Sequence, residues 1–120
     1  MNDYQMGAVE SRFADLIWEN APIASGELVR LALESLGWKK STTYTVLKRL
    51  CEKGIFTNDG GTVCAAMSRE EYFARKSENF VEETFQGSLP AFLAAFTARK
   101  KLTPQEVAQL RQMVADYEEG

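Results

Sequence analysis

Apolar residues recur at helical spacing along most of this chain, and the places where the period breaks divide it into elements. Val9, Phe13, Leu16 and Ile17 follow the i, i+4, i+7, i+8 pattern of one apolar stripe, which predicts a helix over Ala8–Glu19 ended by Asn20-Ala21-Pro22. Leu28, Leu31, Ala32 and Leu36 give the buried face of a second helix from about Gly26 to Leu36, with Ser25 as N-cap and Gly37 as C-terminal stop. A third helix is predicted from Thr42 to Lys53, with Ser41 as N-cap and Gly54 as its stop. The helical period then lapses. Two short segments, Ile55-Phe56-Thr57 and Thr62-Val63-Cys64-Ala65, flank Asn58-Asp59-Gly60-Gly61. Asp-Gly and Gly-Gly supply the positive φ angles of a tight hairpin, so a two-stranded wing is predicted here. Helix, helix, helix, hairpin is the winged-helix order, and the short turn before the third helix suits a helix-turn-helix.

Three further helices follow. Ser68 and Glu71 make a capping box, with Met67 and Tyr72 as its hydrophobic staple, and this helix runs to about Gln86 before Gly87. Ser88 opens the next, where Leu89, Phe92, Leu93 and Phe96 repeat at i, i+3, i+4, i+7. The last begins with Thr103 as N-cap, Pro104 at the first helical position and Glu106 closing the box, stapled by Leu102 and Val107. Its apolar positions are Val107, Leu110, Val114 and Tyr117. The fold class is therefore mainly α: a winged helix-turn-helix over residues 1–67 and a helical region over 68–120. Helices carrying Phe73, Phe80, Phe85, Phe92 and Phe96 expose broad apolar faces that so short a region does not easily bury by itself. These faces either pack back on the first domain or pair with a second chain. The reading adopted is a homodimer, held through Phe73, Phe80, Leu89, Phe92, Leu93, Phe96, Val107, Leu110 and Val114.

Composition narrows the function. A chain of 120 residues, 45% hydrophobic, suits one compact domain or a small domain with an oligomerisation arm. No apolar run approaches the roughly 18 residues of a membrane span. Met1-Asn2-Asp3-Tyr4-Gln5 lacks the basic-then-apolar order of a signal peptide, which makes the cytoplasm the default location. Histidine is absent, and with it the commonest general base and transition-metal ligand. No catalytic constellation assembles from the remaining residues, so neither an enzyme nor a cofactor or metal site is expected. Cys51 and Cys64 have no CxxC or CxC partner and read as reduced thiols.

The net charge of −3 is unpromising for a nucleic-acid partner, but its distribution is not. Between Trp38 and Gly54 stand Lys39, Lys40, Lys48, Arg49 and Lys53 against a single acid, Glu52. On a helical wheel, Thr43, Val46, Leu47 and Leu50 share one face, and Thr42, Tyr44, Thr45, Lys48, Arg49 and Glu52 share the other. The second face suits a major groove. Threonines offer hydroxyls to phosphate and methyls to thymine, the helix N-terminus attracts phosphate, and Lys48 and Arg49 reach base edges or backbone one turn on. Lys39 and Lys40 precede the helix and would lie near phosphates. The same cations also suit an ordinary solvated face; what favours DNA is their sharing one side of a third helix directly before a hairpin.

The segment Trp38-Lys39-Lys40-Ser41-Thr42-Thr43-Tyr44-Thr45-Val46-Leu47-Lys48-Arg49-Leu50, with Lys53-Gly54, resembles the recognition-helix signature of the BlaI/MecI penicillinase-repressor family, which includes copper-responsive CopY-type repressors. Leu16-Ile17-Trp18 with Pro22-Ile23 resembles the end of that family's first helix. Gly87-Ser88-Leu89 through Phe96, and Leu102-Thr103-Pro104-Gln105-Glu106 with Leu110, resemble its dimerisation region. The resemblance implies a homodimeric repressor on a pseudo-palindromic operator in double-stranded DNA. It implies contacts from Lys39, Lys40, Ser41, Thr42, Tyr44, Thr45, Lys48 and Arg49. In antibiotic-responsive members a membrane sensor protease triggers cleavage of the repressor, and the matching bond here is Ala95–Phe96. Three features depart from the pattern. The wing has no basic residue and carries Asp59, Ala95 stands where the best-known members have Asn, and the metal-binding cysteine cluster of copper-responsive members is missing. Two alternatives stand beside the repressor: a winged-helix protein-interaction module, and a thiol-responsive regulator acting through Cys51.

Overall fold

A computed structural model describes residues 4–120; Met1–Asp3, part of the stretch read for a leader, lie outside the described residues. The element order is α1 (Ala8–Asn20), β1 (Ile23–Ala24), α2 (Ser25–Leu36), α3 (Lys40–Glu52), β2 (Phe56–Asp59), β3 (Thr62–Ala65), α4 (Arg69–Phe85), α5 (Leu89–Arg99) and α6 (Pro104–Glu119). The fold is mainly α, with an N-terminal winged helix and a C-terminal helical region. The strands form one antiparallel sheet in the order β1-β3-β2.

Two helix starts differ from the sequence expectation. Helix α2 begins at Ser25 itself; Ala24 occupies the N-cap position and no side chain caps it. Ser25 is drawn into tertiary bonds instead. Its N–H donates to the Gly61 carbonyl at 2.8 Å, and its Oγ accepts from the Tyr44 hydroxyl at 3.1 Å. Helix α3 begins at Lys40, with Lys39 at the N-cap position, so Ser41 lies inside the first turn rather than capping it. The cause is Thr43, whose N–H and Oγ1 both donate to the Lys39 carbonyl, at 3.0 and 3.2 Å, and close the turn early.

The wing is a hairpin with a two-residue turn. Phe56 pairs with Ala65 and Asp59 with Thr62, and Gly60 and Gly61 take φ of 62° and 90°. Both positive angles suit the primed turn that matches strand twist, and a side chain at either position would be strained. Strand β1, which the apolar pattern does not predict, adds Ile23 opposite Val63 and makes the sheet three-stranded.

The chain divides into two compact units, one reaching Glu78 and the other spanning Asn79–Gly120. This division falls inside α4, whereas the sequence pattern places the boundary before that helix. Tyr72 explains the difference. It is 1% exposed, donates its hydroxyl to the Tyr4 carbonyl, and packs its ring at a tilt against Trp18, with centroids 5.6 Å apart. The first turns of α4 thus complete the core of the first unit, together with Phe13, Ile17, Leu28, Leu47, Leu50, Ile55, Phe56 and Val63. Trp18 locks that core by donating its indole N–H to the Met67 carbonyl at 3.0 Å.

The second unit is built differently. Phe80, Phe85 and Phe92 meet edge to face, with centroids 5.6 to 6.0 Å apart, and Phe96 lies 6.1 Å from Phe92. Helix α6 carries the complete capping box: Thr103 Oγ1 accepts from the Glu106 N–H at 3.0 Å, and Glu106 Oε1 from the Thr103 N–H at 2.9 Å. Yet no residue of α5 or α6 is fully buried.

Candidate nucleic-acid interface

Helix α3 separates its two faces sharply. Thr43, Val46, Leu47 and Leu50 are buried, as the wheel predicts. Lys39, Lys40, Ser41, Thr42, Thr45, Lys48 and Arg49 are exposed, and Tyr44 is half-buried. The first turn contains no acid, so nothing there repels an anion from the helix N-terminus.

The polar groups of this face are not equally available. Thr45 Oγ1 donates to the Ser41 carbonyl at 2.9 Å, which leaves its oxygen lone pairs and its methyl facing outward. The Tyr44 hydroxyl donates to Ser25, so Tyr44 offers its ring edge rather than a free O–H. Lys39, Lys40 and Lys48 make no ion pair among the described residues. The other two cations of the segment are engaged. Arg49 Nη1 lies 3.5 Å from Glu10 Oε2 on α1, and Lys53 Nζ donates to the Gln5 carbonyl at 2.5 Å. Sequence reasoning missed Glu10 and Ser25, because partners so far apart in the chain leave no local pattern.

The wing beside α3 is exposed from Thr57 to Gly60 and brings Asp59 but no cation. Its turn is fixed to the start of α2 by the Ser25–Gly61 bond. Cys51 and Cys64 are free and half-buried. Burial, seconded by the neighbouring Glu52 charge, pushes the Cys51 thiol above its ordinary range. That disfavours the thiolate needed for redox chemistry and weighs against the thiol-responsive alternative.

In the second unit, the residues read as a dimer surface fall into two groups. Leu89 and Phe96 are well exposed on α5, with Phe92 and Leu93 half-buried beside them. Val107, Leu110 and Val114 come together with Leu102 along an open groove of 380 Å³ on α6, edged by Arg111 and Glu118. Phe80 belongs to the phenylalanine cluster, whereas Phe73 lies in the first unit against Tyr72. Ala95 and Phe96 are both exposed, within α5. Among the described residues, no group of three or more histidine, cysteine or acidic side chains is arranged to hold a metal, and no helix is long and apolar enough to cross a membrane.

This architecture matches a known family along nearly its whole length. The family model described as penicillinase repressor covers residues 6–116. The penicillinase repressor of Bacillus licheniformis is 23% identical over 117 residues, spanning 94% of this chain and 91% of that protein. A match that runs unbroken through the winged helix and the C-terminal helices places this chain in the penicillinase repressor family of transcriptional regulators.

Proposed function

We propose that this repressor acts in the cytoplasm as a homodimer on a pseudo-palindromic operator in double-stranded DNA, each protomer laying α3 in the major groove of one half-site. The observation that carries the reading is the division of α3: an apolar face held by the core, and opposite it an exposed face of hydroxyls and of lysines with no ion pair among the described residues. Lys39 and Lys40 meet phosphates as the helix enters the groove. Ser41, Thr42 and Thr45 supply short hydroxyl and methyl contacts, Tyr44 sets its ring edge against a sugar or base edge, and Lys48 reaches the flanking backbone one turn on. The wing, with Asp59 and no cation, adds shape rather than phosphate grip.

The α6 groove and the exposed faces of Leu89, Phe96 and Val114 supply the self-complementary apolar surface of a two-fold dimer. Dimerisation ties two weak half-site contacts into one tight one. Release follows if a membrane sensor protease triggers cleavage of the Ala95–Phe96 bond, because the cut detaches α6 from the rest of the chain. That bond lies in mid-helix, so cutting requires α5 to fray. A helix with no fully buried residue frays at small cost.

A mobility-shift titration with DNA from upstream of the protein's own gene, at two salt concentrations and with unrelated competitor, tests the reading. Salt-weakened binding that resists competitor supports it; binding that competitor removes would favour a winged helix turned to protein partners.

A further inference from the structure

Two cations at the C-terminal end of α3, Arg49 in its last turn and Lys53 at its C-cap, both reach back to the chain's own N-terminal segment. Arg49 meets Glu10 in the first turn of α1, and Lys53, one helical turn later on the same side, meets the Gln5 carbonyl. Glu10 Oε2 is fully buried and, among the described residues, accepts no hydrogen bond, so the Arg49 guanidinium at 3.5 Å is its compensation. By contrast, Lys39, Lys40 and Lys48 make no ion pair among the described residues.

We infer that the face divides by length: the stretch from Lys39 to Lys48 contacts DNA, and Arg49 is a positioning residue that, through Glu10, fixes α3 against α1. This rests on the DNA-binding reading and refines it. Arg49 sits one residue past Lys48, where a guanine-reading arginine would swing its guanidinium round to set two N–H donors on one base. Here one Nη faces a carboxylate whose buried oxygen has no other donor. Pulling Arg49 to a base would leave that oxygen unpaired, at a cost that offsets what the guanine bonds supply. A strut explains the geometry with no such conflict: an arginine ion pair on one turn and a lysine–carbonyl bond on the next hold the helix at two points. The rigid footing sets how α3 enters the groove and leaves readout to the residues N-terminal to it.

The test uses the full chain with Arg49→Lys, Arg49→Ala, Glu10→Gln and the Glu10→Ala/Arg49→Ala double variant, with Glu10→Ala completing the cycle. Thermal unfolding without DNA and affinity for a panel of operators, each altered at one base pair, are the two readouts. As a strut, Arg49→Lys keeps the base preferences and stays within about 3-fold of wild-type affinity. Glu10→Gln weakens all operators alike, and the double variant is more stable than the two single losses combined would give. A guanine reader predicts otherwise: Arg49→Lys loses about 10-fold or more of its discrimination at one base pair. That result, a rise in affinity for Glu10→Gln, or additive stabilities would each overturn the inference. If the wild type itself fails to distinguish operator from competitor, the DNA-binding reading falls, and the stability cycle still decides whether Arg49 and Glu10 act as a strut.

Discussion

If α3 binds an operator as proposed, the salt dependence of that binding follows from which cations are free. DNA binding releases condensed counterions, and the affinity falls with salt at a slope of about −0.9 for each phosphate neutralised. On α3 and its lead-in, Lys39, Lys40 and Lys48 are exposed and make no ion pair among the described residues. Arg49 and Lys53 are held by Glu10 and Gln5, and the wing has no cation to add. A proposed dimer would therefore bring six cations, for a slope of about −5.4 and a loss of about 2,000-fold in affinity between 50 and 200 mM salt. Were Arg49 and Lys53 also bound to phosphates, ten cations would give a slope of about −9 and a loss of about 300,000-fold. Fluorescence anisotropy with a labelled operator over that salt range separates the two. Lys48→Ala removes two contacts per dimer and should flatten the slope by about 2, equally for every operator tested. A wild-type slope near −9, or no change in slope for Lys48→Ala, would refute this accounting.

In the second unit, Leu110→Asp or Val114→Asp places a charge in the α6 groove and should yield monomers in sedimentation; a dimer that persists places the interface elsewhere. Trp18→Phe loses the indole N–H bonded to the Met67 carbonyl and part of the ring packed on Phe56, so denaturant unfolding should show a loss of about 2 kcal/mol. Its sedimentation should be unaltered. The Thr103 N–H holds the Glu106 carboxyl below the usual range. Its stabilisation is therefore present above the ordinary value of 4.5 and fades as pH falls through the lowered one. Helical circular dichroism should show this loss as pH falls below 4.5, and Glu106→Gln should lack that step. Because burial raises the Cys51 thiol, Cys51→Ser should bind operator as the wild type does, and peroxide should not change binding in either. A peroxide effect confined to the wild type would restore the thiol-sensing alternative.

How far the sequence makes this legible depends on the reach of each interaction. The helices of both units are readable because repeats such as Phe13 and Ile17, buried on α1 although Val9 at the head of the predicted stripe is exposed, and boxes such as Thr103-Glu106 act within one or two turns. The hairpin is readable because Gly60 and Gly61 carry their backbone preference with them. Helix α3 is readable down to its buried face, and its start is not. Ser41 has the side chain of a cap, but Thr43 reaches the Lys39 carbonyl first and winds the turn from Lys40. Strand β1 has only two residues, too few to show alternation, and exists because β3 offers Ile23 a partner. The limit of the first unit is hidden for the same reason: Tyr72 reads as a staple, and only the folded chain brings Tyr4 and Trp18 around it.

The same limit governs the candidate site, and there it changes the chemistry. Composition puts five cations between Trp38 and Gly54, and a wheel puts Lys48 and Arg49 on one face as equals. Folding makes them unequal. Glu10 comes to Arg49 from α1, and Gln5 to Lys53 from the segment before it, so a net positive helix becomes one whose free charge is concentrated toward its N-terminal end. That end also presents the exposed hydroxyls of Ser41 and Thr42 and a first turn without acids. Short hydroxyls and methyls discriminate bases only when held close, and a lysine supplies attraction without demanding one geometry. A reader built this way needs its helix seated firmly in the groove. The wing, with Asp59 and no cation, does not supply that footing through phosphate. On the proposed reading, the Glu10–Arg49 and Gln5–Lys53 contacts supply it from within the protein, so that an acidic chain whose wing has no cation would still hold its helix as an operator reader requires.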